Sequence, residues 1–245
     1  MTTITIIPAF NEEKSIANVI KETQKYTDDI LVIDDGSTDK TSQISADNGA
    51  YTIKHPTNMG KGVALKSGFD YIKDLNYDII ITIDADNQHN PNEIPKLIEA
   101  INNGADFVNG SRYMNGPEEN TPAYRRIGQQ VLDIATNITT GLKITDSQSG
   151  FRAFNKKTCK CFKFRDTGFG IESEMLADAA EAKLKIVEVP ITVRYDVDGS
   201  TKNPVSHGVG VLIKIIIDKI RRIFKRWTFS CHAKMEYLEL LLEMH

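Results

Sequence analysis

Apolar residues along this chain come in short runs rich in Ile and Val, separated by longer stretches in which they recur every three or four positions. The runs Thr3–Ile7, Ile30–Ile33, Tyr51–Lys54, Ile79–Ile83 and Asp106–Asn109 read as strands, because β-branched side chains suit a pleated surface. Between them the spacing predicts amphipathic helices over Glu12–Lys25, Thr38–Asn48, Gly60–Lys73 and Pro91–Asn102. Asp39 stands at the start of the second, and Asn90-Pro91 gives the last an N-cap followed by proline in the first turn. Strands apolar throughout, alternating with helices, specify an α/β fold with a mostly parallel central sheet covered on both faces.

Further along, the pattern predicts a helix over Pro122–Gly141, a strand over Phe151–Phe154, a helix over Glu172–Ala182 and a strand over Ile186–Arg194. Two more helices are expected at His207–Trp227 and Met235–Met244. The organisation this implies is one α/β domain over residues 1–205 and a C-terminal helical appendage over 206–245.

With 245 residues, 40% of them hydrophobic, the chain supports a core without staples. The net charge of −3 argues against a dedicated nucleic-acid binder. Cys159, Cys161 and Cys231 read as reduced thiols; pairing Cys159-Lys160-Cys161 with His232 around a metal lacks the second ligand pair such sites need. The opening residues carry no signal-peptide core, and no run reaches the ~18–20 apolar residues of a membrane span, so a cytoplasmic chain is expected.

In an open parallel sheet, ligands bind at the carboxyl ends of the strands. Here four of those ends are polar: Pro8-Ala9-Phe10-Asn11-Glu12, Asp34-Asp35-Gly36-Ser37, Asp84-Ala85-Asp86-Asn87-Gln88-His89 and Gly110-Ser111-Arg112-Tyr113. Two carboxylates two positions apart at the end of a buried strand suit Mg²⁺, a hard cation held by one or two carboxylates plus substrate phosphates, and Gln88 offers a neutral oxygen. Asp34-Asp35 reads equally as a ribose or base acceptor and as a turn built on Gly36. Asn58-Met59-Gly60-Lys61-Gly62 lacks the P-loop register, but it can start a helix whose N-terminus, with Lys61, faces a phosphate. No G-x-G-x-x-G follows the first strand and no G-x-S-x-G occurs, which sets aside dinucleotide folds and hydrolase elbows.

In this order and spacing the motifs resemble the family 2 glycosyltransferases of the GT-A fold, in particular the polyprenyl-phosphate (dolichol-phosphate) sugar synthases. Thr145-Asp146-Ser147-Gln148-Ser149-Gly150-Phe151-Arg152 and Glu188-Val189-Pro190-Ile191 extend the match to about residue 205. The resemblance implies a metal-dependent, inverting transfer of a sugar from a nucleoside diphosphate sugar, UDP- or GDP-linked, to a polyprenyl phosphate at the cytoplasmic membrane face. It implies that Pro8, Phe10 and Glu12 hold base and ribose beside Ile33 and Asp35, with Ala85 against the ribose. Asp84, Asp86 and Gln88 become the residues for Mg²⁺ or Mn²⁺, and Arg112, Arg194 and Lys202 the donor-phosphate contacts. Arg125 or Arg126 meets the acceptor phosphate. An anionic phosphate acceptor needs no strong base; a hydroxyl on a glycan or other acceptor would, and Asp146 is then the candidate, unless it orients Arg152 or the acceptor. A non-catalytic, membrane-associated nucleotide-sugar binder is the rival of another class.

The predicted helix at His207–Trp227 interleaves Lys214, Lys219, Arg221, Arg222, Lys225 and Arg226 with Ile, Val and aromatic residues. Such a helix suits an anionic membrane surface; packing of its apolar stripe on the domain, in a homodimer or against an integral-membrane partner is the alternative.

Overall fold

The structure, a computed structural model, describes residues 1–114, 123–194 and 210–222. Its strands are β1 (Thr3–Ala9), β2 (Asp29–Asp34), β3 (Tyr51–Lys54), β4 (Ile79–Thr82), β5 (Phe107–Ser111), β6 (Arg152–Asn155) and β7 (Ile186–Pro190). Its helices are α1 (Ile16–Thr23), α2 (Thr41–Asp47), α3 (Lys61–Ile72), α4 (Ile94–Asn102), α5 (Ala123–Thr140), α6 (Ile171–Glu181) and α7 (residues 210–222). The strands form one sheet in the order β3-β2-β1-β4-β6-β5-β7.

Successive strand residues point to opposite faces, and both faces are apolar, so the sheet carries two cores. Ile7, Val32, Ile81 and Val108 pack beneath α1 and α4 with Val19, Ile20 and Leu97. Ile4, Ile6, Leu31, Ile33 and Ile80 pack on the other face with Leu65 and Phe69 of α3 and Met175 and Leu176 of α6. Phe69, Phe107, Phe154 and Phe162 close that second core through edge-on ring contacts.

Helices α1, α2 and α4 begin three or four residues later than the amphipathic spacing alone suggests, while α3 and α6 begin within one residue of it. Asn90 accepts a hydrogen bond from Asn92 N and is followed by proline, as expected, but the turn it caps is a 3₁₀ segment, Pro91–Glu93, before α4 proper. Asp39 does not cap α2 in the usual way; its carboxylate accepts from Thr41 N at 3.0 Å and from Glu13 N at 3.1 Å, bridging two loops. The strand expected at Ile186–Arg194 ends at Pro190, leaving only an isolated bridge between Val193 and His89. β6 runs antiparallel to both β4 and β5, so the sheet is mixed at its centre.

Helix α7 packs on the body of the domain: Val211 and Ile215 are buried against Leu132 of α5. Lys214 pairs with Asp166 at 2.9 Å, Arg222 with Asp178 at 2.7 Å, and Lys219 bonds the Thr139 carbonyl. Three of the basic residues expected to face a membrane thus face protein. Ile213, Ile216, Ile217 and Ile220 remain exposed, as do Val131, Ile134 and Ile138 on α5. No helix of the described residues is long and apolar enough to cross a membrane. The helix expected at Met235–Met244, the continuation to Trp227 and the expected domain boundary near residue 205 lie outside the described residues.

Candidate active site

The exits of β1 and β2 are locked to each other. Asn11 takes a left-handed backbone (φ 56°); its N–H donates to Ser37 Oγ at 2.8 Å and its side-chain oxygen accepts from Thr38 N at 2.9 Å. Asp34 accepts from Ser37 N at 2.8 Å and from Ser42 Oγ. Asp35 accepts from Met59 N at 3.0 Å, Gly60 N at 2.7 Å and lies 2.8 Å from His55 Nδ1, whose other nitrogen lies 2.9 Å from Ser67 Oγ. Gly36 is required here: its φ is +78° and a Cβ would sit 2.3 Å from the Thr57 carbonyl carbon. The result fixes the start of α3, and with it Lys61.

At the β4 exit the carboxylates are less well supplied. Asp86 accepts from Gln88 N at 3.0 Å, in a turn completed by Asn87 in the left-handed region (φ 60°). Asp84 meets the Lys61 ammonium at 2.6 Å and lies 3.7 Å from His89 Nε2. Lys61 also lies 2.7 Å from Glu172, in the first turn of α6. Burial raises the Asp86 carboxyl above its ordinary value, and the Asp84 charge adds to this. Glu12 is likewise raised, first by burial and then, against a hydrogen bond from Ser15, by the charges of Asp86, Asp84 and Asp39. Burial would raise Asp84 too, but Lys61 and His89 hold it well below the carboxylate range.

The third part of the rim comes from β5 and the segment entering β6. Asp146, with no exposed surface, receives the Arg112 fork through Nε at 2.6 Å and a terminal nitrogen at 2.7 Å. Glu188 of β7 holds the same segment by accepting from Thr145 N at 2.9 Å and Asp146 N at 3.3 Å. Arg152 is buried and donates to Asn109 Oδ1, the Glu172 carbonyl and the Ser147 carbonyl at 2.9–3.0 Å. Burial pulls its guanidinium down to about 10. Asp133 of α5 accepts from Ser147 N at 2.7 Å, yet burial, with the Asp146 charge adding to it, pushes its carboxyl up to about 6.

The structure therefore gathers Glu12, Asp84, Asp86, Lys61 and Asp146–Arg112 along one edge of the sheet. Several expectations change in detail. Ile33 is a core residue with no exposed surface, so its side chain does not line a base site. Ala85 is also buried in the core. Lys61 faces two carboxylates rather than an open phosphate position, because Asp84 and Glu172 both lie within ion-pairing distance. Asp146 orients Arg112, not Arg152. Pro8 is partly covered and Phe10 is 42% exposed, at the mouth. The main chain of Arg194 reaches the site, donating to the Gln88 carbonyl at 2.8 Å. Arg126 lies half-buried on α5; the side chain of Arg125 and all of Lys202 lie outside the described residues.

Glu172, Glu188, Gly150 and Asp133 had no role assigned from the sequence. Gly150 backs directly onto Asp84: a Cβ there would lie 2.5 Å from its carboxylate. The sequence carries no distinct signal for Glu172: like Glu174, it is an acidic residue in the first turn of a helix, which reads as an ordinary helix start.

A divalent cation fits this edge. The charge of Asp84 adds to the cost of ionising both Glu12 and Asp86, a penalty that a cation relieves, and Gln88 follows in the same turn, its N–H on Asp86. No cluster of three or more His, Cys, Asp or Glu side chains encloses a metal position among the described residues. Mg²⁺ is commonly held by one or two carboxylates, with the remaining oxygens from phosphates and water.

A seven-stranded, mostly parallel mixed sheet whose carboxyl edge carries these groups has the GT-A fold. Residues 4–162 match glycosyl transferase family 2, and the chain belongs to that family. It is 38% identical to an uncharacterized protein of Methanocaldococcus jannaschii over 88% of this chain and 91% of that one. It is 37% identical to the UDP-N-acetylglucosamine–dolichyl-phosphate N-acetylglucosaminyltransferase of Methanococcus voltae over 85% of this chain and 90% of that one. Among solved structures, glucosyl-3-phosphoglycerate synthase of Mycobacterium tuberculosis, in complex with Mn²⁺, UDP-glucose and phosphoglyceric acid, superposes with a TM-score of 0.71. That match has 22% identity and covers 89% of this chain and 79% of the other, which shows a shared fold.

Proposed function

We propose that this glycosyltransferase moves a sugar from a nucleoside diphosphate sugar to a polyprenyl phosphate at a membrane surface, using Mg²⁺ or Mn²⁺. Asp84, Asp86 and Gln88 would hold the cation, which when bound neutralises the departing diphosphate. Pro8, Phe10 and Glu12 would form the nucleotide end of the site, Asp35 would shape the loop beside it, and Arg194 and Lys202 would serve the donor phosphates. Arg125 or Arg126, near the start of α5, receives the acceptor phosphate.

The observation that carries the choice of acceptor is the state of Asp146. Its carboxylate is buried and closed by the bidentate Arg112 fork, which leaves it badly placed to take a proton from a hydroxyl. A phosphate acceptor is already anionic and attacks the anomeric carbon without a base, inverting it. Positioning and electrostatics then supply most of the rate. The relative from Methanococcus voltae, named for a dolichyl-phosphate acceptor, supports the same choice. The exposed apolar residues of α5 and α7 suit a peripheral position on the cytoplasmic membrane face, where such an acceptor presents its phosphate.

Calorimetric titration of UDP and GDP, with and without Mn²⁺ or Mg²⁺, on the wild type and Asp86→Ala tests the donor half. Metal-dependent binding of one nucleotide, lost in the variant, is expected. Incubating the matching labelled nucleotide sugars with polyprenyl phosphate vesicles or with soluble sugar acceptors tests the other half. Label in the organic phase is expected; label transferred only to the soluble acceptor assigns the enzyme to hydroxyl transfer instead.

A further inference from the structure

The proposed reaction leaves one buried carboxylate of the site unused. Glu172 is 3% exposed and lines a small cavity with Pro8, Lys61, Asp84 and Gly150. Among the described residues neither of its oxygens has a hydrogen-bond donor of ordinary geometry; what it faces is the Lys61 ammonium, 2.7 Å away. A carboxylate is costly to bury in that condition, so its presence beside Asp84 needs a reason. The same ammonium lies 2.6 Å from Asp84, and it has three protons to distribute between the two acids.

We propose that Lys61 is the internal counter-cation of the donor site, shared between Asp84 and Glu172, and that it rests on Glu172 alone when Asp84 engages a divalent cation. The proposal rests on the donor-site reading above and adds two positioning residues to it. Glu172 keeps the buried ammonium compensated when Asp84 turns to another partner. Lys61 in turn keeps Asp84 half-neutralised toward a bare cation, so that uptake of the cation depends on the negative charge of a nucleoside diphosphate arriving with it. The scarcity of rival donors around Glu172 is what makes it a resting place: among the described residues no other group hydrogen-bonds its oxygens.

The test is Mn²⁺ binding without nucleotide, read by electron paramagnetic resonance, on the wild type, Glu172→Gln and the double variant Lys61→Met/Glu172→Gln. The double variant removes both charges at similar volume and strands neither. Its affinity for bare Mn²⁺ should rise about tenfold or more, since the positive charge removed is in contact with Asp84 whereas the negative charge removed touches only the ammonium. Glu172→Gln alone, which leaves the ammonium to Asp84, should lower that affinity. The gain in Mn²⁺ affinity produced by UDP or GDP, whichever the wild type binds, should shrink in the double variant. If the folded double variant binds bare Mn²⁺ no more tightly than the wild type, the proposal is overturned, whatever the fate of the single variant. A folded wild type that binds neither Mn²⁺ nor nucleotide would instead overturn the donor-site reading.

Discussion

Two pairs of aspartates end neighbouring stretches of the same sheet edge, and they are put to opposite uses. Asp34 and Asp35 are saturated by their own loops: backbone N–H groups of Ser37, Met59 and Gly60, the Ser42 hydroxyl and the His55 ring all point at them. Asp84 and Asp86 receive one backbone N–H and one ammonium between them at hydrogen-bonding distance. Residue type and strand position are alike; the supply of donors differs. Carboxylates supplied by their own backbone shape a loop, whereas undersupplied ones have capacity left for a ligand.

Breaking the undersupplied pair should give the largest effect. Asp86→Ala is expected to lower sugar transfer by about 10²–10³-fold, the scale of a lost electrostatic contact to a transition state, with an unchanged urea midpoint. Asp35→Ala should do the reverse. Two buried N–H groups and the His55 ring lose their acceptor, and urea unfolding should show a loss of about 2–4 kcal/mol. If Asp35→Ala left stability intact, the contrast between the pairs would fail.

Gly150→Ala sharpens the comparison from the other side. Its methyl group must push the Asp84 carboxylate aside, so metal-dependent nucleotide affinity should fall by about tenfold while the fold persists, because the far end of a flexible side chain yields first.

Asp133 lies between the two extremes, with hydrogen bonds from Ser147 N and Gln129 but no cation. Its folded value of about 6 is above the ordinary 3.8, so between those values the folded protein holds a proton that the unfolded chain has released. Its contribution is therefore most favourable at low pH and is lost as pH rises through about 6. Asp133→Asn should flatten that part of the stability profile, by up to about 3 kcal/mol on the linkage scale. Urea midpoints at pH 4.5 and 7.0 on both proteins check this.

How much of this was legible in the sequence follows from what is local. The strands β1 to β5 and the polar runs at their ends could be read within a few residues, because apolar runs and turn chemistry are properties of neighbouring positions. The direction of β6 was not legible: a four-residue strand looks the same pointing either way. Nor was the partner of any charge. Lys61 and Glu172 are 111 positions apart, Arg112 and Asp146 34, and only the folded sheet brings each pair together. Asp35 shows the limit most clearly, since ligand acceptor and turn residue require the same side chain, and the deciding donors come from residues 55–60.

The reversed strand β6 also bears on how the chain avoids a wrong answer while folding. Its central residue, Ala153, is paired with Ile81 on one side and Val108 on the other. A slip of two residues would keep every side chain on its proper face, but it would put Arg152 or Lys156 where Phe154 now fills the core. It would also carry Gly150 about 6.6 Å along the strand direction, away from Asp84. What distinguishes the two registers is Arg152, whose guanidinium finds its three oxygen acceptors only when β6 is in place. Displaced, it would be a buried cation with nothing to bond. The arginine thus acts as a proofreader of register, and it ensures that a chain which has finished folding has also assembled the rim on which its chemistry depends.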